Sequence, residues 1–122
     1  MFLQLAHTKL EAYKISEELA IEYYRIIKRF PPDERFAMVQ QIRRAAVSVH
    51  LNLAEGYSRR SQNERNRYFE IERGSVIEID STIGIACKLE YVREEELQIL
   101  GAAIVKSFKL LTGMIKSDVS LN

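Results

Sequence analysis

Apolar residues return every three or four positions through most of the chain, and the returns fall into four stripes. Leu10, Tyr13, Leu19, Tyr23, Ile26 and Ile27 make the first; Met38, Ile42, Ala46, Val49 and Leu53 make the second. Tyr68, Phe69, Val76, Ile79, Ile83 and Ala86 follow, then Leu97, Leu100, Ile104, Phe108, Leu111 and Ile115. That period belongs to helices with one face on a core; strands alternate with a period of two, and no segment does. The punctuation agrees. Pro31-Pro32 should end the first helix at Phe30, because proline lacks the backbone donor and disfavours helix in the residue before it. Thr8 to Glu11 and Ser61 to Glu64 have capping-box spacing, while Asp33, Glu34 and Glu94-Glu95-Glu96 suit the positive end of a helix dipole. The spacing predicts helices over roughly 9–29, 34–58, 62–90 and 94–116, with the last six residues frayed. Four such helices with short joints predict one all-α domain over residues 1–122, an antiparallel up-down-up-down four-helix bundle.

One stretch carries more than a bundle helix needs: "QIRRAAVSVHLNLAEGYSRRS", residues 41–61. At about 100° per residue, Gln41, Arg44, Ser48, Asn52 and Glu55 fall within about 80° of one another, and Arg59 joins them if the helix outlasts Gly56. Ile42, Ala45, Ala46, Val49, Leu53 and Tyr57 occupy the opposite side, and Val47, Leu51 and Ala54 form a third sector. A helix in a monomeric bundle needs one apolar stripe. The second implies burial against something else, and another copy of the chain is the simplest partner. The polar stripe has two readings. As structure, Arg44, Ser48, Asn52 and Glu55 join Ser75 and Glu78 of helix three in a network that fixes register, with Asp80 a further partner. As function, the stripe faces a groove and contacts a ligand.

Composition narrows the class without naming an activity. With 122 residues, 47% apolar and 29% charged, the chain has the makings of a single globular core. No run approaches the roughly 20 apolar residues of a membrane span, and the opening six residues lack the basic start of a secretory signal. Cys87 stands alone and closes no internal disulfide, so the expected location is the cytoplasm, away from membranes. The net charge of +1 conceals an uneven distribution: residues 35–67 carry seven arginines against Glu55 and Glu64, for +5, and residues 68–96 carry −5. Either a basic binding face or two segments that neutralise each other on packing would follow. Arg43 lies off the polar stripe, and Arg59, Arg60, Arg65 and Arg67 gather with Asn63 and Asn66 at the corner between helices two and three. The planar guanidinium fork suits phosphate, which makes these five arginines the candidate nucleic-acid contacts. The alternative is a solvated corner paired to the acidic third helix.

Catalytic signatures are missing. The five glycines are dispersed, so no phosphate-cradling loop exists, and those within helices three and four are expected to permit close helix packing. His7, His50, Cys87 and the carboxylates show neither metal-ligand spacing nor the Asp/Glu-x-x-His pattern of di-iron bundles. No cofactor, metal or catalysis is expected, and Cys87 reads as a core residue.

"FPPDERF", "QIRRAAVSVHLNLAEGYSRRS" and "GSVIEID" resemble, in order and spacing, the bacterial four-helix bundle proteins encoded by intervening sequences in large-subunit ribosomal RNA genes, a family formerly counted among ribosomal proteins. The resemblance covers roughly residues 9–117, and its pattern falls on Arg43, Arg44, Ser48, Asn52, Glu55, Gly56, Arg59, Gly74, Ser75 and Glu78. It implies an antiparallel bundle assembling as a ring-like homopentamer. Similar bundles accompany reverse transcriptases in diversity-generating retroelements, where a basic pentamer contacts nucleic acid and the polymerase. For the family itself the resemblance implies no defined activity, and RNA association is the expectation that goes with it. Two departures stand out. His50 replaces a proline usual at that position, so the second helix should run straighter or bend for another reason. Glu72-Arg73 replace a small apolar residue before Gly74, a charge expected to alter a subunit contact or face solvent. The reading that results is a non-enzymatic homo-oligomer whose basic corner contacts RNA. Its rival is a protein–protein scaffold without direct RNA binding, and a third option is an enzyme using Glu55 and Glu78 in a shared cavity.

Overall fold

The computed structural model describes residues 6–119 of the chain. Four α-helices account for most of it: α1 (Glu11–Ile26), α2 (Met38–Tyr57), α3 (Gln62–Lys88) and α4 (Gln98–Val119). Short 3-10 turns at Ala6–Lys9, Ile27–Arg29, Pro32–Glu34 and Glu94–Leu97 flank or join them, and the described residues contain no strand. Each helix packs on two others, α1 and α3 both touching α2 and α4, so the four stripes close on one core. Leu19, Tyr23, Ile42, Leu53, Ile79 and Leu100 are fully enclosed there. Phe108, expected on the inner face of the fourth helix, is 38% exposed with the Arg73 guanidinium over its ring at 5.9 Å. The core position in that turn belongs to Ser107, which the spacing Leu100, Ala103, Ser107, Leu111 places in register.

The helix ends show which local signals act. Ser61 caps α3, its Oγ accepting from the Glu64 amide at 3.1 Å. At the other end Glu90 takes φ 64°, and the amides of Glu90 and Tyr91 donate to the carbonyls of Cys87 and Ala86 at 3.0 and 2.9 Å. This is the paired-bond helix stop that glycine usually serves, here held by a side-chain-bearing residue. Thr8 falls in the first 3-10 turn, and α1 begins at Glu11 with Leu10 at its cap; the Thr8 side chain lies outside the described residues. The second helix starts four residues later than the acidic pair suggested. Pro32, Asp33 and Glu34 form a 3-10 turn of their own, and Ala37, at φ −123° and ψ −99°, is not helical. Glu34 is instead turned to Tyr91, whose hydroxyl donates to it at 2.8 Å and ties the first joint to the third.

α2 runs unbroken through His50. The fourth helix with its preceding turn, residues 94–115, is long and apolar enough by composition to cross a membrane. Its Leu100, Ala103, Ile104, Leu111 and Ile115 stripe faces the protein core, as in an ordinary bundle helix. Of the glycines, only Gly56 sits at a close approach. A Cβ there would lie 2.6 Å from the Tyr68 Cβ, so α2 meets α3 where no larger residue fits. Gly74, Gly84, Gly101 and Gly113 have nothing within 4 Å of that position, which corrects the expectation that they serve packing within the chain.

Candidate nucleic-acid interface

The corner between α2 and α3 is built around Arg59. Its Nη2 donates to Glu55 Oε1 at 2.6 Å and to the Tyr68 hydroxyl at 2.7 Å, and the guanidinium lies over the Tyr68 ring at 5.0 Å. Arg65 donates from Nε to the Arg59 carbonyl at 2.7 Å and covers the Tyr57 ring at 5.5 Å. Arg65 thus satisfies a backbone carbonyl in the joint between α2 and α3, while Arg59 ties the Glu55 side chain of α2 to the Tyr68 side chain of α3. Arg59 and Arg65 hold the corner together. Arg60 and Arg67 project from the same corner, both exposed, with no hydrogen bond or ion pair among the described residues.

Farther along α2, Arg43 stacks over the Tyr24 ring at 5.9 Å. Arg44 is exposed between two open grooves. One, of about 540 Å³, is lined by Phe36, Gln40, Gln41, Ser48, Ser75 and Glu78 as well as Arg44. The other, of about 530 Å³, lies towards α1 and includes Tyr24, Val47, Leu51 and Asn52. Asn52 donates to Ser48 Oγ at 2.7 Å. So Arg44, Ser48, Ser75 and Glu78 do share one groove, whereas Glu55 belongs to the Arg59 corner. In the single chain Arg44, Glu55 and Glu78 are exposed. Glu55 does not line the groove that holds Glu78, and no described groove brings the two together.

Charge does not cancel across the fold. Of the seven arginines in residues 35–67, Arg59 alone forms an ion pair among the described residues, and its partner Glu55 comes from the same segment. The acidic segment 68–96 contributes one bridge, Glu96 to Arg29 at 2.9 Å. The basic and acidic segments pack as neighbours without pairing.

A second polar cluster lies inside the bundle, and sequence reasoning missed it. Glu72 is fully buried, and Glu72 and Ser107 line with Ser16 a crevice that has no room for a water. Neither carboxyl oxygen of Glu72 nor the Ser107 hydroxyl finds a partner among the described residues. Removal from water raises the Glu72 pKa from 4.5 to about 9, so at neutral pH it is a carboxylic acid. The expectation that Glu72 alters a subunit contact or faces solvent is therefore corrected: it points into its own core. Arg73 is half-buried and donates to Thr112 at 3.3 Å. Nearby, Ser16 donates to the Tyr13 carbonyl at 2.8 Å, which leaves its oxygen to accept from His50 Nδ1 at 2.8 Å. His50 stacks on Tyr13 at 4.1 Å, and burial lowers its pKa against the opposing pull of Glu17. The signal was present: Phe69, Glu72, Val76, Ile79, Ile83 and Ala86 recur at intervals of three and four, with Glu72 in register.

These features define a small all-α protein with an arginine-built corner and, among the described residues, arginines along α2 that form no ion pair. Among the described residues no three His, Cys, Asp or Glu side chains are placed to hold a metal ion. The model of the 23S rRNA-intervening sequence protein family matches residues 8–113, and the chain belongs to that family. A crystal structure of a protein of unknown function from the S23 ribosomal protein family of Bacteroides thetaiotaomicron VPI-5482 is similar to it, with TM-score 0.78 and 22% identity. The match covers 86% of this chain and 98% of that one, and at such identity the likeness is one of fold. No curated protein matches the chain.

Proposed function

We propose that this chain is a non-enzymatic, cytoplasmic RNA-associating protein, an antiparallel bundle that assembles with copies of itself, as a ring of five, and presents its unpaired arginines to phosphate. The observation that carries the reading is the charge arrangement: seven arginines in residues 35–67, one of them in an ion pair among the described residues. Unpaired surface arginines attract a polyanion and release its counterions on contact. Arg60 and Arg67 are the corner contacts, with Arg43 and Arg44 farther along α2, while Arg59 and Arg65 set the corner's shape.

Self-association draws support from the second apolar sector of α2. Leu51 is 62% exposed, with Val47 and Ala54 half-buried beside it, and Ile71 and Ile85 stand out on α3 at 54% and 53%. The same apolar surface also favours the rival reading, a scaffold for another protein. A titration of structured RNA at low and near-physiological salt, with sedimentation of the free protein alongside, separates the two. The reading requires an oligomer whose RNA affinity falls linearly with salt on logarithmic axes. An intact oligomer indifferent to RNA at low salt would transfer support to the scaffold.

A further inference from the structure

The entry to α2 carries an arrangement that phosphate binding alone does not explain. Phe36 is 82% exposed, the most exposed large apolar side chain described, and the Arg35 guanidinium lies over its ring at 5.5 Å. Tyr24, 41% exposed, has the Arg43 guanidinium at 5.9 Å. Between the two rings runs the wall shared by both grooves, made by Gln40, Arg44 and Ser48. The groove of about 540 Å³ is thus a trough with one exposed aromatic face, Phe36, the Arg35 guanidinium beside that ring, Gln40, Gln41 and Arg44 along its wall and Glu78 as its acidic lining residue, while Tyr24 and Arg43 belong to the adjoining groove across the wall. Asp33 and Glu34 precede it, but Glu34 is engaged by the Tyr91 hydroxyl.

We propose that this trough is a binding site for single-stranded nucleic acid, with an unstacked base lying on Phe36 and the strand's phosphates on Arg35 and Arg44. The argument rests on complementarity. Every base offers a flat π-face, so aromatic platforms bind single strands with little sequence preference, and arginines beside them follow the backbone. A duplex keeps its bases stacked on one another and presents no such face. Gln40 and Gln41 can donate and accept at base edges. The inference rests on the nucleic-acid reading given above but separates the functions: the corner with Arg60 and Arg67 lies past the far end of α2, which is about 20 Å along the helix from Arg44, and grips phosphate only.

The test uses the full chain and two probes, a 12-nucleotide single-stranded RNA of mixed sequence and the same sequence as a duplex. Binding is followed by fluorescence anisotropy for the wild type, Phe36→Ala, Phe36→Trp and the pair Arg60→Gln with Arg67→Gln. The single strand should bind more tightly than the duplex, and Phe36→Ala should weaken it at least about fivefold while Phe36→Trp retains it. A DNA strand of the same sequence shows whether the 2′-hydroxyl contributes. Phe36 is too exposed for its loss to unfold the chain, and circular dichroism checks this. Equal affinity for strand and duplex, or a Phe36→Ala variant that binds normally while the Arg60/Arg67 pair does not, would overturn the trough and leave the corner standing. No binding of either probe at low salt would remove both. A Phe36→Ala variant that changes the sedimentation of the free protein while binding RNA normally would make this face a contact between copies.

Discussion

Glu72 gives the sharpest quantitative expectation. Its carboxyl is enclosed by Ser16, Ser107 and apolar side chains, with no hydrogen bond to either oxygen, and its pKa is raised from 4.5 to about 9. Unfolding releases the proton at any pH between those values, so the group's stabilising contribution is complete below pH 4.5 and is lost as pH rises towards 9. Within that window stability falls by about 1.4 kcal/mol per pH unit, and by pH 7 the accumulated loss is about 3 kcal/mol. For a chain of 122 residues the slope corresponds to roughly 5 °C in Tm per unit. Glu72→Leu removes the titration and the unpartnered carboxyl while filling a similar volume. It should raise stability at pH 7 by about 3 kcal/mol and flatten the pH dependence. Urea unfolding at half-unit steps from pH 5 to 8.5, wild type against Glu72→Leu, reads this directly. Subtracting the curves cancels the other titrating groups, His50 among them. Parallel curves, or a Leu variant less stable than wild type, would refute the reasoning.

Other expectations follow from single contacts. Gly56→Ala should cost about 1–3 kcal/mol in thermal unfolding, because the new methyl meets the Tyr68 Cβ at 2.6 Å and neither helix backbone can retreat freely; an unchanged Tm would show that α2 and α3 separate easily there. Glu90→Gly should stabilise by about 1 kcal/mol, since glycine adopts φ 64° without the steric penalty that glutamate carries; a loss of stability would mean the Glu90 side chain matters more than its backbone. Asn52→Leu breaks the Ser48 contact and should leave helicity intact while shifting the sedimentation of the assembly; an unchanged oligomer would take Asn52 out of the interface.

The fold was legible because its signals are redundant. Four apolar stripes, the proline pair and the Ser61 cap each mark the same elements, and tertiary packing then enforces them. The start of α2 was less legible because Asp33 and Glu34 suit either a helix dipole or a hydrogen bond across the structure, and the Tyr91 contact decides it. At the corner, composition revealed a cluster of arginines but not their roles. Whether a guanidinium holds the chain or faces solvent depends on Tyr57, Tyr68 and the Arg59 carbonyl, which only the folded corner brings within reach. Glu72 was passed over because a charged residue was assigned to the surface by type. Its spacing placed it in the core, and desolvation makes it neutral there.

In the proposed function Arg60 and Arg67 contact phosphate while Arg59 and Arg65 shape the corner. The most direct test is the salt dependence of structured-RNA binding in wild type and in Arg60→Gln with Arg67→Gln. Removing two phosphate contacts should lower the log–log slope by about 1.4 to 1.8 with the melting temperature unchanged. An unaltered slope, or a loss of binding that tracks unfolding, would contradict the claim.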